Sequence, residues 1–158
     1  ITHVMTYADL DKLPMKLCLF SLFLELESQI IDLLLSNYSL IEQYFKYLPP
    51  LRLEKAKKLC KDKYKDSTPT RLLLCTTFVD KKEILKRDPM LQTKLPFESK
   101  HKGDLFFKLI ENVRNQIAHS DSILQYLKTP SEFNQFINEL QSLTASITYS
   151  IGSGEPEN

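Results

Sequence analysis

Phe106, Leu109, Ile110, Val113 and Ile117 recur three and four residues apart, a spacing that lays them along one face of a helix. The chain holds only 3 glycines in 158 residues. That scarcity argues against a sheet rich in tight turns and against Gly-rich phosphate loops. The fold class expected is therefore all-α: an up-and-down bundle of five to six helices around one core.

Punctuation residues place the helices. Pro14 suits the first turn of a helix over about 14–35. Ser39 and Glu42 form a capping box for a second helix at 40–47, which Pro49-Pro50 ends. A highly charged third helix covers about 51–65. Thr68 before Pro69 opens a fourth, expected to run to Asp88-Pro89, and residues 89–99 read as a loop. The fifth runs from about 101 to His119. Thr129, Pro130 and Glu132 open a sixth, which Gly152 ends. Residues 1–6 alternate and read as a short strand, Ala8 to Lys12 as a turn or helical start, and the tail from Ser153 as disordered.

Composition bounds the function classes. A net charge of +1 gives no whole-molecule field toward nucleic acid or membrane. The most apolar stretch, 13–35, is interrupted by Lys16, Glu25, Glu27 and Asp32, so no membrane span is expected. Cys18, Cys60 and Cys75 lack metal-ligand spacing and read as reduced thiols of a cytoplasmic protein, with Cys18 and Cys75 as core filler. His3 and His101 are isolated, so neither a metal nor another cofactor is expected. The first residue is Ile1, and the chain reads as a piece of a longer protein.

The candidate chemistry lies at the end of the fifth helix, in Arg114-Asn115-Gln116-Ile117-Ala118-His119. Asn112, Asn115 and His119 form a polar stripe opposite the apolar face, with Arg114 between the two. An arginine grips a phosphate bidentately, and a histidine moves a proton near neutral pH. The carbonyl end of a helix favours positive charge, which suits a group that takes up a proton and returns it. Asn115 is one turn from His119 and is placed to orient the ring or bond a phosphate oxygen. Arg114 and His119, five residues apart, project roughly 140° apart on an ideal helix. An early helix end, a reaching arginine or a second copy of the chain would reconcile them, and the second copy is preferred. Glu27, amid the apolar residues Phe20, Phe23, Leu24, Ile30, Ile31 and Leu34, needs a cation, and Arg114 is the expected partner.

The run Val113 to His119, within an all-helical chain, resembles the signature of HEPN domains: arginine, a polar residue, then histidine after four to six intervening residues. The resemblance covers about 14–150 in architecture and one short segment in motif. It implies a homodimer with the two motifs face to face, and an RNA substrate cleaved without a metal. His119 would assist attack of the 2′-hydroxyl on the adjacent phosphate, and Arg114 would stabilise the phosphorane. The products would be a 2′,3′-cyclic phosphate and a 5′-hydroxyl. Such domains occur in toxins, where an antitoxin is a partner, in phage defence and in RNA processing. Some members are inactive or bind nucleotides, so a non-catalytic nucleotide-binding, dimerisation or regulatory module stands as the alternative.

Met5-Thr6-Tyr7-Ala8-Asp9-Leu10 resembles the last strand and helix start of a CBS domain, with His3 where a glycine is usual. That resemblance divides the chain into a remnant or linker at 1–12, a HEPN-like bundle at 13–151 and a tail at 152–158. It implies an adenosyl nucleotide bound upstream as a regulator. Lys57, Lys58 and Lys61, within the lysine-rich third helix, are candidates for tracking an RNA backbone, against the simpler reading of a solvated charged helix. Lys81, Lys82, Lys86 and Arg87 form a second cluster read in the same way.

Overall fold

A computed structural model describes residues 6–36 and 40–152. Among them are eight α-helices and no strand: α1 (Leu13–Ser36), α2 (Ile41–Tyr44), α3 (Pro50–Tyr64), α4 (Pro69–Leu74), α5 (Phe78–Arg87), α6 (Pro89–Gln92), α7 (Lys100–Ala118) and α8 (Pro130–Gly152). The all-α reading holds, with more helices than expected. No helix among the described residues is long and apolar enough to cross a membrane. The alternation at 1–5, Ser39 of the expected capping box and the tail from Ser153 lie outside the described residues. Ala8 to Lys12 does make a helical start, as part of a 3-10 turn over Tyr7–Asp11.

Two departures have local causes. The helix expected from Pro69 to Asp88 is broken at 75–77, because Thr77 caps a new helix. Its hydroxyl accepts from Asp80 N–H at 3.3 Å, and Thr77 N–H donates to Asp80 Oδ2 at 2.9 Å. The segment after Asp88 is a short helix rather than pure loop. The Asp88 carboxylate accepts from Met90 N–H at 2.9 Å, and Pro89 sits at the first helical position.

The described residues fall into two compact units. The first holds those up to Leu26 together with Phe97–Ala145. Its core is a chain of aromatic rings, Phe23, Phe136, Phe106, Phe97 and Phe107, with neighbouring centroids 5.7–6.2 Å apart. Gly103 in α7 makes room for them, since a Cβ there would lie 2.9 Å from Phe97 Cδ2. Gly103→Ala is therefore expected to destabilise by about 1–2 kcal/mol in chemical denaturation. That outweighs the ~1 kcal/mol an alanine contributes to a helix interior. A net gain in stability would mean that Phe97 yields freely.

The second unit holds Glu27–Pro96 and the described residues from Ser146. Its buried polar groups are organised around α5. Arg52 donates to Asp80 Oδ1 at 2.8 Å. Burial pushes the Asp80 carboxyl up, but the bonds from Arg52 and Thr77 outweigh it and hold the group below the usual carboxylate range. A carboxyl lowered in the folded state contributes fully above its unfolded pKa of about 4 and loses that contribution as pH falls through its folded value. Stability is thus expected to fall on acidification below about pH 4, and Asp80→Asn to flatten that fall while lowering stability at pH 7. Urea midpoints at pH 3, 5 and 7 test this; parallel curves for the two proteins would refute it.

Lys81 and Lys82, expected in a solvated basic cluster, are both buried, at 1% and 7% exposure. Lys81 Nζ donates to Glu27 Oε1 at 3.1 Å and to the Thr76 carbonyl at 2.6 Å. Of the cysteines, Cys75 and Cys60 are buried, whereas Cys18, expected in the core, is exposed. Cys18 misled because α1 carries apolar residues on nearly every side. The buried line is Leu19, Phe23, Leu26, Ile30, Leu33 and Leu34, and Leu24 is exposed.

Candidate functional site at the end of α7

α7 is capped by Ser99, whose hydroxyl accepts from Lys102 N–H at 3.2 Å. It stays regular to Ala118, with His119 as the C-cap. The termination is a Schellman turn. Asp121 N–H bonds the Gln116 carbonyl at 2.8 Å, and Ser120 N–H bonds the Ile117 carbonyl at 3.1 Å. Ser120 takes the left-handed conformation (φ 60°) where a glycine is usual. His119 N–H bonds the Asn115 carbonyl at 3.0 Å.

The segment after His119 is anchored. The Asp11 carboxylate accepts from Ile123 N–H at 3.0 Å and pairs with Lys16 at 3.2 Å. Lys16 Nζ also donates to the Asp121 carbonyl at 2.8 Å. Burial pushes the Asp11 carboxyl up, and the bonds from Ile123, Lys16 and Ser122 override it to hold the group low. Sequence reasoning missed Asp11 and Lys16 as positioning residues. Their partners lie more than 100 residues away, and no local pattern points to them.

His119 and Asn115 are exposed, Asn112 and Arg114 half-buried. The polar stripe therefore faces outward. Because α7 does not end early, the backbone still projects Arg114 and His119 roughly 140° apart. Glu27 carries Lys81 as a salt-bridge partner, a cation that sequence reasoning did not assign to it. Lys57, Lys58 and Lys61 are all exposed on α3, in the other unit.

On α1, Leu13, Leu17 and Leu24 are 67%, 56% and 51% exposed. A groove of about 420 Å³ is lined by Leu13, Lys16, Leu17, Phe20, Ile117 and Ala118. No family model, curated protein or solved structure matches the chain. Among the described residues, no group of three or more His, Cys, Asp and Glu side chains is placed to hold a metal ion.

What the arrangement can do chemically follows from those positions. An exposed imidazole at a helix end is open to a substrate hydroxyl. An exposed amide one turn earlier can bond a phosphate oxygen. The backbone carries Arg114 on another side of the helix from His119, so a single copy does not start both side chains in one direction.

Proposed function

We propose that the chain is a metal-independent endoribonuclease that cleaves RNA by 2′-hydroxyl attack, at a site completed by a second copy of itself. The observation that carries this reading is His119, held exposed at the carboxyl end of α7 by the Schellman turn, one turn from the exposed Asn115. In this reading His119 takes the proton of the 2′-hydroxyl and later returns one to the 5′-oxygen, and Arg114 stabilises the charge that develops on the phosphorane. Asn115 orients the phosphate. The exposed leucines of α1 support the pairing of two chains, since Leu13 and Leu17, which line the groove with Ile117 and Ala118, are better covered than hydrated. Pairing also answers the angular separation of Arg114 and His119. Lys57, Lys58 and Lys61 are available to hold RNA backbone, an upstream nucleotide-sensing domain would set activity, and an antitoxin is a partner if the chain acts as a toxin.

The non-catalytic alternative draws on the same angular separation. A module that only dimerises or binds a nucleotide has no need to aim both groups at one phosphate.

The test is incubation with mixed RNA in EDTA, beside His119→Ala. Cleavage leaving 2′,3′-cyclic phosphate ends, lost in the variant, is expected. Equal cleavage by both proteins would assign it to a contaminant. An inert parent, as this chain and within its full-length protein, would favour the binding module.

A further inference from the structure

The chain just after His119 is fixed from two directions. The Asp121 N–H closes the Schellman turn onto the Gln116 carbonyl at 2.8 Å. The Asp121 carbonyl accepts from Lys16 Nζ at 2.8 Å, and the Ile123 N–H donates to Asp11 Oδ1 at 3.0 Å. The peptide groups on either side of Asp121 are thus tied one to α7 and the other to α1. The turn they hold is not self-sufficient. Ser120 sits at φ 60°, where an L side chain is crowded by its own backbone. A glycine takes that conformation freely, whereas a serine keeps it only where the surrounding bonds fix it.

Asp11 ends the 3-10 turn Tyr7–Asp11, a small unit with its own closure. Thr6 N–H donates to Asp9 Oδ2 at 2.7 Å, the Thr6 hydroxyl donates to the same oxygen at 2.7 Å, and Asp9 pairs with Lys12. Leu10 is buried, and so is Ile123, whose amide Asp11 holds. The turn therefore forms by local rules and presents one carboxylate to the segment after α7. Lys16 joins the two ties, because its ammonium pairs with Asp11 at 3.2 Å while it holds the Asp121 carbonyl. Loss of the Asp11 carboxylate loosens both. We propose that the turn Tyr7–Asp11 is a latch on the α7 terminus: folded, it holds His119 in place through Asp11, and unwound, it releases residues 120–123 and lets the helix end fray. An event on the residues ahead of α1 is thereby read out at His119. The control of cleavage that follows rests on the nuclease reading above; the latch itself does not.

Amide hydrogen exchange followed by NMR tests the latch at Ser120 and Asp121, whose N–H bonds run to α7 and not to the turn. Asp11→Ala should speed exchange at both about 10-fold or more, the scale of a lost bond to a charged group. Asp9→Ala, which disturbs only the closure of the turn on Thr6 and Lys12, should speed the same two amides by a smaller factor. It decides alone if Asp11→Ala does not fold. The ring resonances of His119 should shift in both variants, and RNA cleavage should fall in kcat with little change in KM. Ser120→Gly in the Asp11→Ala background should restore protection, because glycine needs no support at that φ. Unchanged exchange at Ser120 and Asp121 would overturn the proposal, and so would a failure of Ser120→Gly to rescue. Equal acceleration at Ile110 and Val113, buried in the middle of α7, would also overturn it, as the mark of a general loss of stability. Faster exchange and shifted His119 resonances in a protein that cleaves no RNA would support the latch and count against the nuclease reading.

Discussion

Mixing His119→Ala protein with Arg114→Gln protein, each inactive alone, is expected to restore about a quarter of the RNA cleavage of the parent. The reasoning starts from α7, which stays helical through Ala118 and so keeps the two side chains roughly 140° apart. If each site takes His119 from one chain and Arg114 from the other, a mixed dimer has one site with both residues intact and one with neither. Free exchange at equal concentration makes half the dimers mixed, and each carries one working site of two, hence about a quarter. Alone, His119→Ala should lose about 10²–10⁴-fold in rate, as expected for a general base removed. Arg114→Gln should lose about 10²–10³-fold, as for a lost stabiliser of transition-state charge. No recovery on mixing, with exchange verified by mass, would place both residues of a site in one chain. Cleavage unaffected by either substitution would end the nuclease reading.

Where the sequence was legible, a short-range signal coincided with the tertiary outcome. Thr68-Pro69 and Thr129-Pro130 open helices as read, because capping and proline chemistry act within four residues. The break after His119 was legible from Ser120-Asp121-Ser122, although the left-handed serine that makes it was not. The Thr77 cap escaped notice because apolar residues keep helical spacing on both sides of it, so periodicity runs through the break. The buried face of α1 was half legible. With Leu13, Leu17 and Leu24 as apolar as Leu19, Leu26 and Leu33, pattern alone does not decide which line is covered. The polar stripe of α7 was readable, since Phe106, Ile110 and Val113 fix the opposite face. The anchors Asp11 and Lys16 were not, because they act through backbone groups at 121 and 123 that no side-chain pattern records.

Lys81→Met is expected to destabilise the protein by about 3–5 kcal/mol, among the largest effects of any single substitution at a charged residue here. Methionine keeps most of the apolar stem but removes the ammonium that serves both the Glu27 carboxylate, 3.1 Å away, and the Thr76 carbonyl, 2.6 Å away. Glu27 is 19% exposed at its side chain and Lys81 2%, so water replaces the lost partner only in part. At about 2–4 °C per kcal/mol, the melting temperature should drop by roughly 10 °C. A second substitution decides what the pair is for. Replacing both ends, Lys81→Met with Glu27→Met, should recover most of the loss, because two apolar groups of similar volume leave no uncompensated charge. If the double variant is no better than the single one, the ammonium's main role is its bond to Thr76. Glu27→Met also separates stability from catalysis. A carboxylate that serves Lys81 changes the fraction folded and leaves RNA cleavage per folded molecule untouched. One that positions Arg114 lowers cleavage well below the melting transition, where the protein is fully folded. The position of Lys81, three residues after the buried Phe78 and four before the buried Leu85, already sets it on the covered face of α5. Its charge, among the four basic residues Lys81, Lys82, Lys86 and Arg87, hid what its register required.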